Sequence, residues 1–235
     1  MNKSEINIPA SIIVAGLIVA AGIYASSAHP VGTPAQSKSI AAQAGLNEKK
    51  IQACASTDKY NEKITNQSEG GDRAMQIIPP DRRGTPFNVI VDTKTGVKAQ
   101  LAGAYPHDSF KQIIDGMLAG TEKGEAIDLV PITAEDHFYG NKDAEIVIIE
   151  YGDLECPYCA AVHPTIHQLL KEYDGKVAWV FRHFPLSIHK DAHIKAVAAE
   201  CAYEDGGDTA FFKYLDATYD AINEKINPKF DTSTL

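Results

Sequence analysis

The run EIVIIEY, 145–151, is almost wholly apolar and rich in β-branched residues, the pattern of a strand buried on both faces in the middle of a mixed sheet. Beyond it, Ala160, Ala161, Ile166, Leu169 and Leu170 recur at helical spacing, which predicts a helix from the cysteine pair at 156 and 159 to about Tyr173. KVAWVFRHF, 176–184, reads as the next strand. A strand–helix–strand unit of this length makes the two strands parallel neighbours.

After Pro185 the pattern turns helical. HKDAHIKAVAAECAYEDG predicts one helix that ends at Gly206–Gly207, and DTAFFKYLDATYDAINEKI predicts another. Earlier in the chain, SIAAQAGLNEKKIQACASTDKYNEKITNQ is helical in pieces. TPFNVIVDTKTGVKAQLAG alternates, turns at DTKTG and alternates again, as a hairpin does, and PHDSFKQIIDGMLAG follows as an amphipathic helix. Four strands and about six helices, interleaved rather than segregated, predict an α/β layered domain.

The first 38 residues differ in kind. PASIIVAGLIVAAGIYA, 9–25, carries no charge and predicts a transmembrane anchor at the short end of what spans a bilayer. A cleaved signal segment, with SSA at 26–28 as its exit, is the alternative. Either reading exports the rest: a single-pass membrane protein with its domain extracytoplasmic, or a secreted or periplasmic one after cleavage. SSAHPVGTPAQSK, 26–38, reads as a polar tether, with folded sequence from about Ser39. The formal net charge of −9 argues against a nucleic-acid partner, which asks for a basic face. Four cysteines, an even number in an exported chain, fit a compartment that permits disulfides.

Two of those cysteines form Cys156-Pro157-Tyr158-Cys159 at the junction of a buried strand and a helix, a redox signal. Pro157 suits the first helical position, where its missing N–H costs nothing. Cys156 then lies at the helix N-terminus, where unpaired N–H groups and the macrodipole favour a thiolate. Cys156, Cys159, His163 and His167 superficially resemble a zinc series. On one helix, however, Cys159 and His167 are about 12 Å apart along the axis, too far to share one tetrahedral ion. A purely structural staple is disfavoured, because so short a loop restricts the unfolded chain little. Glu150, six residues before Cys156, admits two readings. One is an acid reaching solvent at the strand end. The other is a buried carboxyl that exchanges a proton with Cys159. Asp153 and Glu155 read as surface charges.

PITAEDHFYGNKDAEIVIIEYGDLECPYCAAVHPTIHQLLKEYDGKVAWVFRHFPL, 131–186, resembles the front half of a DsbA-like, thioredoxin-fold thiol–disulfide oxidoreductase. The likeness covers the lead-in, the strand, Cys-Pro-Tyr-Cys, the following His-Pro and the Arg-His-Phe-Pro-Leu. It implies that Glu150 is the buried proton-transfer group. Tyr158 occupies one of the two positions that set dithiol acidity in such motifs, and His163 admits two readings, a ring that tunes the thiolate from the next turn or a solvent-facing helix residue. It also implies a cis-proline loop packed on the dithiol and binding substrate backbone. Nothing of that kind follows Cys159, yet RRGTPFNVIVDTKTGVKAQLAGAYPHDSFKQIIDGML, 82–118, resembles the missing C-terminal section, with Thr85 and Pro86 in the cis-proline loop.

The resemblance therefore implies a circular permutation. Residues 39–119 would be the family's C-terminal half, 120–130 a joining linker, and 131–235 the N-terminal half. Cys54 and Cys201 then fall on neighbouring helices of the family's helical insertion and are expected to form a structural disulfide, two buried free thiols being the alternative. The expected fold class is a permuted, DsbA-like thioredoxin fold preceded by a transmembrane anchor. The expected function is an extracytoplasmic oxidase that introduces disulfides into exported proteins, needs no organic cofactor or metal, and is reoxidised by a membrane redox partner. A reductase or isomerase on the same fold is the nearest alternative, and a binding or chaperone module with an incidental dithiol is another.

Overall fold

Residues 39–226 are described by a computed structural model. β1, Phe87–Asp92, and β2, Lys98–Ala102, form the hairpin. β3 is His137–Gly140, β4 is Ile146–Gly152 and β5 is Val177–His183. The sheet order is β2-β1-β4-β5-β3. β4 sits in the middle, antiparallel to β1 and parallel to β5. Every residue of β4 and of β5 is buried, as their apolar runs require.

Helices cover both faces. On one lie α4, His107–Leu118, α5, Pro157–Glu172, and a helical insertion made of α1, Ile40–Gln43, α2, Glu48–Ala55, and α6, Ala192–Ile226. Ile90, Ile148, Trp179 and Phe181 point into that layer, and each such side chain contributes about 1.5–3 kcal/mol by burial. The opposite face, with Val89, Val147, Ile149, Tyr151 and Val180, packs on Ala74 at the end of α3, Asn61–Ala74, and on Met75. Gly206 and Gly207 break α6 into two arms. Gly207 has φ 65°, which a side chain would resist.

Pro164 lies inside α5 and cannot donate to the Ala160 carbonyl one turn back. Asn223 of α6 supplies the missing donor, its Nδ2 lying 2.9 Å from that oxygen. The proline is thus accommodated by a tertiary contact between the dithiol helix and the insertion.

The sequence reading differs from the structure in three respects. β3 adds a fifth strand to the expected four. It is a short edge strand, HFYG, with two exposed positions and too little alternation to be read. The segment 120–130 is no free linker: Ile127 is buried, and the Glu125 amide donates to the Lys98 carbonyl at 2.6 Å. The third correction concerns fold class. The expected fold class included a transmembrane anchor, but among the described residues no helix is long and apolar enough to cross a membrane, and what the structure describes is an α/β sheet covered by helices. The segments read as anchor and tether, 1–25 and 26–38, lie outside the described residues.

Cys54 on α2 and Cys201 on α6 are joined by a disulfide, with Cα atoms 5.8 Å apart and a sequence separation of 147. A cross-link closing so long a loop removes much of the unfolded chain's freedom. Replacing both cysteines with alanine should cost about 2–4 kcal/mol in urea unfolding. A loss below about 0.5 kcal/mol would mean that the helix packing alone holds the insertion together.

Candidate active site

β4 delivers the chain to the dithiol. Gly152 at its end admits no side chain, because a Cβ there would collide with the Phe181 ring and lie 3.0 Å from Glu150 Oε1. The next residue, Asp153, is a buried post. Its Oδ1 accepts from the Glu155 amide at 2.7 Å, and its Oδ2 accepts from the Leu186 amide at 2.7 Å and faces His189 Nδ1 at 2.8 Å. Its carbonyl accepts from the Cys156 amide at 3.0 Å and from the Tyr219 hydroxyl at 3.3 Å. Glu155 ties the same turn to the Asp191 amide and Lys195. Neither acid is the surface charge the sequence suggested. An aspartate placed to form an Asx turn three residues before the helix N-cap was the available signal for Asp153.

Cys156 caps α5 and Pro157 is its first residue. Both thiols are reduced and buried. The Cys159 thiol, donating to the Cys156 sulfur, is the largest reason that the Cys156 pKa falls from its ordinary value to about 6. Burial opposes this, while the amides of Tyr158 and Cys159 at the helix start reinforce it. Cys156 is therefore mostly thiolate at neutral pH. Cys159 is the opposite: fully buried, donating to Cys156 and close to Glu150, it is held well above the ordinary thiol range.

The Thr85–Pro86 peptide is cis, and it brings Thr85 against Cys156. The Thr85 carbonyl lies 3.4 Å from Cys156 Sγ, where it accepts from the sulfur only while Cys156 is protonated. The Thr85 hydroxyl is buried without a hydrogen-bond partner, near enough to Cys156 to favour the thiolate. The loop precedes β1, which pairs with β4, so the hairpin fixes its position over the dithiol.

Glu150 is wholly buried on β4, paired in register with Asn88 of β1 and Phe181 of β5. Neither carboxylate oxygen has a hydrogen-bond partner; the Trp179 indole N–H comes near enough to favour the charge but falls short of hydrogen-bond geometry. Burial, reinforced by the Cys156 charge, pushes its pKa up to about 8. At neutral pH the group is a protonated acid close to Cys159.

His163 stands apart from the sulfurs. It is buried against Trp179 and Tyr219 and bonded to Asp216, and it makes no hydrogen bond to either cysteine. Tyr158 projects into solvent, 66% exposed. Trp179, Phe211, Phe212 and Tyr214 are buried.

Residues 133–233 match the family model described as Thioredoxin. The matched stretch, under half of the chain, holds β3, β4, the dithiol helix α5, β5 and α6; the hairpin and the cis-proline loop lie outside it. That stretch of the chain is similar to the thioredoxin family.

Among solved structures, DsbA2 of Pseudomonas aeruginosa is similar to this chain at 35% identity, over 39% of this chain and 50% of that one, with a TM-score of 0.36. Among curated proteins, the Na(+)/H(+) antiporter NhaA 3 of Salinispora tropica is 40% identical over 91 residues, 38% of this chain. NhaA 1 of Mycolicibacterium gilvum is 40% identical over 80 residues, 33% of this chain. The match spans only 14% and 13% of those antiporters, so ion exchange stays with them.

Proposed function

We propose that the protein is an extracytoplasmic oxidase, transferring its Cys156–Cys159 disulfide to the thiols of exported proteins or peptides. The pKa contrast within the dithiol carries this reading. A stabilised Cys156 thiolate favours the reduced dithiol, and a stable reduced form makes the disulfide a strong oxidant. The Cys54–Cys201 disulfide supports an oxidising compartment.

A substrate thiolate attacks Cys156 Sγ, forming a mixed disulfide and expelling Cys159 as a thiolate. Cys159, with its high proton affinity, takes a proton from the Glu150 carboxyl. A second substrate thiolate attacks the substrate sulfur of the mixed disulfide and expels Cys156, a good leaving group at its lowered pKa. The substrate has lost two electrons and the dithiol has gained them. The cis loop at Thr85 and Pro86 offers backbone for a substrate strand. A separate redox partner returns the dithiol to the disulfide.

We also read the order of the two halves as permuted. The hairpin and α4 come before β4 in sequence, yet β1 is the strand beside β4 and its preceding loop is the one against Cys156, which supports that reading.

The oxidised full chain, mixed with a reduced two-cysteine peptide without glutathione, should convert one equivalent of peptide to its disulfide. A peptide that stays reduced while the protein stays oxidised would sink the proposal.

A further inference from the structure

Away from the sulfurs, three donor atoms converge on one point. His163 Nε2 and His167 Nε2, at i and i+4 on α5, lie 3.3 Å apart. Asp216 Oδ1, on the second arm of α6, lies 2.9 Å from the first and 3.2 Å from the second. Atoms held about 2.0–2.1 Å from a tetrahedral zinc ion are separated by about 3.3 Å. Two histidines at i and i+4 on one helix face, with a carboxylate from elsewhere, are a zinc-binding arrangement in their own right.

Packing fixes the rings. Trp179 meets both imidazoles edge-on, at 5.5 and 5.8 Å, and the Tyr139 ring stands edge-on to His167 at 5.0 Å. His163 is buried, whereas the side chains of His167 and Asp216 are 23% and 37% exposed, so a cation would enter from their side. Asp216 and Tyr139 also line a cavity of about 540 Å³ with room for water or another ligand at the fourth position. His163 Nδ1 has no partner to hold its tautomer, which sets the expected affinity nearer micromolar than nanomolar.

We propose that His163, His167 and Asp216 form a site for one zinc ion, clamping the dithiol helix to the helical insertion. The earlier objection to a zinc series concerned Cys159 and His167 as joint ligands; this site uses neither cysteine. Imidazole with carboxylate suits zinc among the divalent metals. The rival arrangement is a carboxylate oxygen that accepts from two imidazole N–H groups and binds no metal.

The test uses the chelator-stripped full chain carrying Cys156→Ser and Cys159→Ser, so that no free thiolate competes. Zinc is titrated in by calorimetry at pH 7.5, and the titration is repeated after adding His167→Ala or Asp216→Asn, with circular dichroism to confirm the fold. Support is one equivalent bound with Kd below about 100 µM, weakened at least about tenfold by each replacement. Weaker binding in the parent, or a loss under about tenfold in folded variants, overturns the site.

Discussion

With Cys156→Ser, oxidation of a dithiol peptide should fall to the uncatalysed rate. The oxidised protein offers substrate one sulfur beside the cis loop, and Cys156 is that sulfur. Removing it deletes the attacked atom and the leaving group together. Cys159→Ala should behave differently. Cys156 remains at the helix start and can still attack a disulfide, but nothing resolves the product, so a mixed disulfide accumulates. The variant also loses the Cys159 thiol, the first contributor to the low Cys156 pKa. Alkylation against pH should therefore show the Cys156 pKa moving up from about 6. Mass spectrometry after exposure to a peptide disulfide checks the first outcome, one adduct per chain. A Cys156→Ser protein retaining more than about a tenth of the wild-type rate would remove the dithiol from the mechanism.

Glu150 should make the oxidised protein less stable as pH rises. Its carboxyl is wholly buried, and burial, the larger of the two causes that raise its pKa to about 8 in the dithiol form, persists when Cys156 carries no charge, whereas in the unfolded chain it ionises near 4.5. Between the unfolded and the raised folded value the folded state holds one more proton than the unfolded state, so stability is full below about 4.5 and is lost as pH climbs toward about 8. At about 1.4 kcal/mol per pH unit, that window is worth at most about 4–5 kcal/mol. Glu150→Gln removes the ionisation and should remove this loss. The comparison belongs in the oxidised protein. In the reduced one, Cys156, depressed from 9.0 to about 6, contributes with the opposite sign as pH rises over that range. His183, buried and held below its ordinary value of 6.5, also opposes the trend at acid pH, but equally in both proteins. Urea unfolding from pH 4.5 to 8.5, read as the wild type minus the variant, isolates the carboxyl. Parallel curves would show that Glu150 is ionised throughout and exchanges no proton with Cys159.

The parts that were legible in the sequence are those governed by local pattern. β4, α5 and β5 follow from two apolar runs and one helical period, and Gly206–Gly207 marks the break in α6. What escaped depends on partners remote in sequence. Asp153 looks like a surface acid until the Leu186 amide and His189 arrive from beyond β5. His163 sits one turn beyond Cys159, and only the tertiary placement of Asp216, 53 residues away, turns its ring from the sulfurs. Pro164 leaves a helix carbonyl without its donor, and the residue that supplies one, Asn223, lies on another helix. Residues 120–130 look like a linker because the burial of Ile127 depends on a sheet assembled from both halves.

The reduction potential of the Cys156–Cys159 pair tests the central claim most directly. The full chain is equilibrated in glutathione buffers, quenched by alkylation and read by peptide mass. The account predicts a potential near about −120 mV, that of a strong oxidant. A value near about −270 mV, that of a reductant, would contradict it.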